Sequence, residues 1–406
     1  MKVAAIISEY NPFHKGHKYQ IDKIREILGE DTAIIAIMSG NYTQRGEIAI
    51  CDKSIRAEAA IECGVNLVLE IPFPFSMSSA EFFAKSGVKI ANEIEIVDYL
   101  CFGSESGDLN ELSDIANVIS SNEYMLTLDE VSNDPQYMYY GYPKLCQIAI
   151  SRVYGKEIGD RFLSPNNILA IEYLRAITAG GCNLIPLTIK REGSGYHDDI
   201  INPMEEYQSA SAIREELQAG YFSALDYVPE NAKSVYMKAI EDGKMPSDVR
   251  KLDSAVVSYF RLNSPRAWVD YQDAGGGLYN RLCDCGSIAT SIRELVAHSE
   301  TKKYTKARIR RAMWNSYFGV TSSDVRRLPC YTQILAMDYT GRVLLKDIKR
   351  NSDFPVITKP SSYRDYNFDV IAQKEMSNRA DAVYGLALNK ADPGCFPLTF
   401  TPYVKV

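Results

Sequence analysis

A run of apolar residues from Val3 to Ile7 passes through Ser8-Glu9-Tyr10-Asn11-Pro12-Phe13 into His14-Lys15-Gly16-His17. Beyond it, Tyr19, Ile21, Ile24 and Leu28 recur among Lys23, Arg25 and Glu26. The first pattern reads as a buried parallel strand and the second as an amphipathic helix, so the histidines fall where a strand hands over to a helix. A helix N-terminus offers unpaired N–H groups and a positive dipole end to an anion. Gly16 lets a ligand approach the backbone closely. Imidazoles hold phosphate oxygens by hydrogen bonds or, if protonated, by charge. The chain has four histidines, and two of them lie in this tetrad.

The first half continues to alternate. Ala33–Met38, Leu67–Leu69, Tyr99–Phe102 and Leu184–Ile189 are apolar strand candidates separated by helical stretches, the pattern of a mostly parallel sheet covered by helices. Ligands of open α/β sheets bind beyond the carboxyl ends of the strands. The turn Gly103-Ser104-Glu105 and Lys190-Arg191-Glu192-Gly193, with His197 beyond, therefore belong at the same mouth as the histidines. The loop Asn41–Glu47 is polar and long, and Ser164-Pro165-Asn166-Asn167 reads as a helix start whose asparagine either reinforces the cap or points its amide at an adenine or ribose edge. Ser164 is expected to cap its helix with Pro165 at the first helical position. In Gln208-Ser209-Ala210-Ser211-Ala212-Ile213-Arg214, Ser211 is expected to cap another helix. Arg214 then sits in its first turn, unfavourably for the dipole unless an anion is bound there.

The tetrad after a first strand resembles the signature of the HIGH superfamily of nucleotidyltransferases and class I aminoacyl-tRNA synthetases. Residues 208–214 resemble that superfamily's second motif, Ile-Ser-Ser-Thr-x-Ile-Arg, with alanine at 210 in place of a central serine. The synthetases' lysine-rich version is absent. Glu9–His17, Ser39–Gly46, Phe102–Glu105 and Pro165–Leu169 together resemble the bacterial tRNA(Met) cytidine acetate ligase family. That resemblance spans the chain and is strongest over residues 1–220. It implies an α/β, Rossmann-like nucleotidyltransferase domain that activates acetate with ATP as acetyl-adenylate. It also implies acetylation of N4 of the wobble cytidine in elongator tRNA(Met). ATP contacts are implied along Ile7-Ser8-Glu9-Tyr10-Asn11-Pro12-Phe13-His14-Lys15-Gly16-His17-Lys18-Tyr19-Gln20, at Gly103, at the Asn166-Asn167 turn, and at Arg191 and Glu192. Within it, His14 and His17 are expected to donate to the α and β phosphates. Ser209, Ser211 and Arg214 are expected to hold the β and γ phosphates and the departing pyrophosphate. Mg2+ is expected with the triphosphate, without a dedicated protein cage. Tyr10, Pro12 and Phe13 are expected to wall a small acetate pocket.

Composition limits the rest. With 406 residues, two or three domains are expected: a catalytic segment 1–222, a helical segment 223–320 and a small C-terminal α/β module 321–406. The net charge of −7 means that nucleic acid must be met by a local basic patch. Thr301–Arg311 supplies one: Lys302, Lys303, Lys306, Arg308, Arg310 and Arg311 with no acid between them. Tyr304, Trp314 and Tyr317 are expected to offer rings for stacking on bases. Nine cysteines without paired metal-type spacing read as reduced, mostly buried thiols. No signal peptide or membrane span is expected, nor an obligatory protein partner, which places the chain in the cytoplasm. Two other readings share these features. A small-molecule adenylyltransferase of the pantetheine-phosphate or nicotinamide-mononucleotide type shares both motifs but has no need of the long basic extension. A non-catalytic, nucleotide-responsive RNA-binding protein has no need of transition-state donors such as the histidine pair with Arg214.

Overall fold

The computed structural model describes residues 1–162, 165–191, 201, 205, 207–265 and 270–405. Strands and helices alternate as β1 (Val3–Ser8), α1 (Lys15–Leu28), β2 (Ala33–Ser39), α2 (Lys53–Glu62), β3 (Leu67–Ile71), α3 (Ala80–Glu93) and β4 (Tyr99–Ser104). A helical stretch follows: α4 (Leu109–Ile119), α5 (Asn122–Asn133), α6 (Tyr142–Tyr154), α7 (Lys156–Phe162) and α8 (Pro165–Gly180). The chain returns to the sheet in β5 (Ile185–Lys190) and continues through α9 (Ala210–Ala219), α10 (Glu230–Glu241), α11 (Asp253–Leu262), α12 (Leu278–Gly286), α13 (Ile292–Ser299), α14 (Lys306–Phe318) and α15 (Ser322–Arg326). Last come β6 (Thr332–Met337), α16 (Tyr339–Asn351), β7 (Val356–Ile357), α17 (Phe368–Tyr384) and β8 (Tyr403–Val404).

The sheet runs β5-β4-β1-β2-β3-β6-β7, with β8 on β6. β1 to β5 are parallel to one another. After β1 the chain moves outward to β2 and β3, then crosses back to lay β4 on the other side of β1. The order reverses between β1 and β4, and a ligand crevice opens at such a switch point. Both sheet faces are buried, which is why the strands read as unbroken apolar runs. Ala5, Ile35 and Leu69 face a core with Phe83 of α3, Ile171 of α8 and Ile348 of α16. Ala4, Ile6 and Ala36 face one with Ile24 of α1, Ala60 of α2, Ile213 of α9 and Tyr236 of α10. A third core joins α11–α14 to α17 and to Tyr42 and Phe73.

The C-terminal α/β segment builds no separate sheet. β6 lies antiparallel on β3, pairing Leu67 with Met337 and Val68 with Ala336. Without it β3 would present an open apolar edge, a liability that folded chains cover. The segment 321–406 thus shares the sheet of 1–222, and α10, from the expected helical segment, packs on that same core. The nine cysteines are all free. Among the described residues no helix is long and apolar enough to cross a membrane.

Candidate active site

His14 caps α1 with a side chain rather than with a serine or aspartate. Its backbone is extended, and its Nδ1 accepts the Gly16 N–H at 3.1 Å. In return the Nδ1 of His17 accepts the His14 N–H at 3.2 Å. This reciprocal arrangement is a capping box made of two imidazoles. It fixes the chemistry of both rings. A ring nitrogen that accepts from a backbone N–H carries no proton, so in each neutral ring the proton sits on Nε2. Burial pushes His14 down to about 3, helped by the nearby Arg191 and Arg214 guanidinium groups. His17 is pushed well below its ordinary value by burial, by His14 and by Arg191. The rings stack with centroids 3.7 Å apart. Two neutral Nε2–H donors therefore stand side by side at the switch point. The sequence left open charge or hydrogen bonding as the means of holding an anion; the structure selects hydrogen bonding.

The loop before the histidines is a scaffold. Tyr10 and Phe13 are 1% and 0% exposed and belong to the core beneath α1. Both rings bear on His17, at 4.9 and 5.5 Å between centroids. Phe13 N–H donates to the Tyr236 hydroxyl at 2.7 Å. Tyr10 and Phe13 are thus held in the core, where they orient His17, and Pro12 is buried between them. The Asn11 side chain accepts Ile50 N–H at 2.8 Å. Ser8 is buried, Ile7 packs where Gly87 of α3 leaves room, and Lys18 pairs with Asp22 on the helix surface. Lys15, Gly16, Tyr19 and Gln20 are half-buried on the first turns of α1.

The second motif meets the first directly. Ser209, not Ser211, caps α9, accepting Ala212 N–H at 3.0 Å. Arg214 reaches back to the histidine loop and donates to the Asn11 carbonyl at 2.8 Å. Its other nitrogen meets Glu47 at 3.2 Å and Ser211 Oγ at 3.5 Å. Glu47 belongs to the loop after β2, and the same loop offers Gln44 N–H to the Glu9 carboxylate at 2.7 Å. Burial raises the Glu9 pKa against the opposing pull of Gln44 and Arg214. On the other side of the crevice, Arg191 continues β5, donating its N–H to the Ser104 carbonyl at 3.0 Å. Its side chain passes over Gly103, where an added Cβ would come within 3.3 Å of Arg191 Cγ. Asn167, buried in the first turn of α8, accepts Glu105 N–H at 3.3 Å. His14, His17, Gly103, Asn167, Arg191, Ser209, Ser211 and Arg214 are thus gathered by one crevice. Glu192, His197, Ser164 and the Asn166 side chain lie outside the described residues.

A model of the HIGH nucleotidyl transferase family matches residues 1–394. The tRNA(Met) cytidine acetate ligase of Acetivibrio thermocellus is 35% identical over 377 residues, covering 89% of each chain. That of Clostridium acetobutylicum is 32% identical over 404 residues, covering 97% of this chain and 98% of its own. This chain is a HIGH nucleotidyltransferase of the tRNA(Met) cytidine acetate ligase family. The fold agrees: a crystal structure of Thermotoga maritima TmcAL bound with alpha-thio ATP superposes with a TM-score of 0.91 at 28% identity. It covers 100% of this chain and 99% of that one.

The basic stretch of this HIGH nucleotidyltransferase is mostly turned inward. Arg311 is 8% exposed and paired with Asp273 at 2.8 Å, so it is not open to a nucleic acid backbone as expected. Arg310 meets Glu47 at 2.5 Å. Arg308 donates to the Asp273 and Gly275 carbonyls. Lys306 lies 3.7 Å from Glu300. Lys302 and Lys306 are exposed and Lys303 is half-buried. Trp314, expected as a stacking ring, is 1% exposed, and Tyr304 is 8% exposed; both are core residues, and Tyr317 packs against them only half-buried. Sequence reasoning missed the double role of Glu47, which meets Arg214 with one oxygen and Arg310 with the other. The loop was marked by its polarity, but the partners lie 167 and 263 residues away and leave no local signal.

Proposed function

We propose that this chain is an ATP-dependent ligase that activates acetate as acetyl-adenylate and acetylates N4 of the wobble cytidine of elongator tRNA(Met). The observation that carries the reading is the imidazole capping box. It leaves two neutral Nε2–H donors free of the backbone at the start of α1, with Arg191 near both rings and Arg214 near His14. Attack of acetate on the α-phosphorus makes a mixed anhydride and releases pyrophosphate. Such a step needs in-line positioning and stabilisation of charge on phosphate oxygens rather than covalent help from the protein. His14 and His17 serve the α and β phosphates, and Arg214 with Ser209 and Ser211 serves the pyrophosphate. Mg2+ would arrive with the triphosphate, which supplies the hard oxygen ligands that this cation prefers. In the second step the cytosine amine attacks the acetyl carbonyl and AMP leaves. The base must be turned out of its stack to reach the site.

The test is ATP–pyrophosphate exchange by the purified protein with and without acetate, followed by transfer of labelled acetate to bulk bacterial tRNA. Acetate-dependent exchange with label mapping to one cytidine is expected. Exchange without RNA labelling would return the acceptor to a small phosphorylated metabolite. For RNA binding, Lys302→Ala/Lys303→Ala should lower tRNA affinity. It should also flatten the plot of log K against log salt by about 0.7 for each single-stranded phosphate no longer neutralised. Filter binding across a salt series measures both, and an unchanged slope would move the phosphate contacts elsewhere.

A further inference from the structure

The loop between α5 and α6 exposes large side chains in a way the adenylation site does not explain. Met138, Tyr139, Tyr140 and Tyr142 are 53%, 67%, 39% and 59% exposed. Four such side chains within five residues form a patch of the kind that marks a contact surface. The loop is nonetheless firmly built. Asp134 caps the turn at Pro135–Tyr137, accepting Gln136 N–H at 2.8 Å. Tyr137 packs against the core, with the Arg152 guanidinium 5.5 Å over its ring. Tyr140 N–H returns to the Tyr137 carbonyl at 2.9 Å, leaving the two rings 6.1 Å apart and 31° from parallel. The rings are therefore presented rather than loosely carried.

Two further observations say what these rings meet. Gly141 sits against the main chain of the basic stretch: a Cβ there would lie 3.3 Å from the Lys303 carbonyl and 3.5 Å from that of Lys302. Among the described residues, neither lysine pairs with a carboxylate. Lys302 is exposed and Lys303 half-buried, its ammonium reaching the Gly276 carbonyl at 3.5 Å, and their main chain lies beside the tyrosine loop. A chain of neighbours links the loop to the catalytic crevice. The Tyr142 hydroxyl is within electrostatic reach of Glu81 at the start of α3. The Ser78 carbonyl just before α3 accepts the Gln44 side chain at 3.2 Å, and Gln44 N–H holds Glu9. Flat rings beside cations without a carboxylate partner suit a ligand with flat bases and an anionic backbone.

We propose that Tyr139, Tyr140 and Tyr142, with Lys302 and Lys303, form a stacking surface for unpaired nucleotides of an RNA loop, those that flank the base delivered to the crevice. The proposal rests on the tRNA reading above and adds where the single-stranded part of the RNA lies. Bases splayed from their stack find new stacking partners on the rings while the lysines neutralise the phosphates between them. Recognition of this kind tolerates sequence but discriminates against duplex, whose bases are already stacked.

The test uses the full chain and a fluorescein-labelled hairpin RNA with a seven-nucleotide loop, with the same strand annealed to its complement as control. Tyr139→Ala/Tyr142→Ala should weaken hairpin binding on the order of tenfold to a hundredfold, with little change for the duplex. Tyr139→Phe/Tyr142→Phe should restore it, since the ring and not the hydroxyl is at work. Hairpin affinity of the alanine variant equal to wild type, or an equal loss for hairpin and duplex, would overturn the stacking surface. Loss of binding in the phenylalanine variant would also overturn it. The KM for tRNA in acetyl transfer separates the two levels. Wild-type protein that acetylates no tRNA would sink the tRNA reading itself. Normal acetylation by wild type with an unaltered KM in the alanine variant would sink only the surface.

Discussion

His14→Asn should retain the fold and lose acetate-dependent ATP–pyrophosphate exchange on the order of 10²–10³-fold, the usual loss for one charge-stabilising donor. Asparagine is a good N-cap, and its amide oxygen can accept Gly16 N–H where the imidazole Nδ1 does now. It has no N–H at the position of Nε2. His14→Ala removes both roles and should cost about 1 kcal/mol of stability besides the rate. The pair of variants separates cap from donor, through thermal unfolding and exchange rates at saturating ATP. Asparagine with wild-type turnover would remove His14 from the chemistry. His17→Ala should lose the rate similarly, since its Nε2–H is the second donor. The pH dependence has a definite sign. Burial holds His14 down at about 3 against an ordinary 6.5. The unfolded chain therefore binds a proton in that interval that the folded one does not. The stabilising contribution is fully present above 6.5 and is lost as pH falls toward 3. Exchange, run by neutral donors, should not decline as pH rises through 6.5. A decline there would mean that the working species is the imidazolium.

The strands around this site were legible because each is an apolar run ending in turn formers, and the histidine tetrad could be placed at a strand–helix junction for the same reason. The tautomer was not legible, because it follows from a ring closed between His14 and His17 that only the capped geometry creates. Two serines within three residues compete to cap α9; Ser211 is the expected cap, but the turn begins at Ser209, and Ser211 is left to face Arg214. The basic stretch misled in a different way. Charge suggests a wet face, yet α14 is gripped along one side by the loop after β2. At Gly46, with φ of +74°, an added Cβ would come within 2.7 Å of Arg310 Cβ and Arg311 N. Arg310 and Arg311 are consumed by that contact. Trp314 lies on the same helix as Ile309 and Met313, all in one core; that apolar spacing was present in the sequence but was overshadowed by the charges. The pairing of β6 with β3 joins residues more than 260 positions apart, which no local period records.

Asp381→Ala should be among the most destabilising single substitutions in the chain, at about 3–5 kcal/mol. Asp381, on α17, meets Lys53 Nζ at 2.5 Å and Asn41 Nδ2 at 3.0 Å. Lys53 also meets Glu70 of β3 at 2.6 Å, and all three charges are almost fully buried. Burial alone would lower the Lys53 pKa, but Asp381 and Glu70 together raise it, so the ammonium is charged and depends on both. Removing one partner leaves that charge poorly compensated in the interior, which costs far more than the pair itself contributes. The loss should reach the active site. α17 also accepts the Tyr42 hydroxyl on its Ala380 carbonyl at 3.2 Å. Tyr42 begins the loop whose Gln44 and Glu47 hold Glu9 and Arg214. Exchange activity should therefore fall at temperatures below global unfolding. Lys374, beside this cluster, should respond with the opposite sign. It is 1% exposed, and burial with the nearby Lys53 charge pushes it down to about 8 from 10.5. Below 8 the folded protein bears the full cost of burying its charge, and stability rises with pH between 8 and 10.5 as that cost is relieved. Lys374→Met, close in volume and uncharged, should then stabilise the protein at neutral pH, with a gain that shrinks toward pH 10.5. Urea midpoints for both variants at neutral and alkaline pH decide the matter. Destabilisation by Lys374→Met at neutral pH would mean that its ammonium is a working member of the network, neutralising Glu70 and Asp381 alongside Lys53.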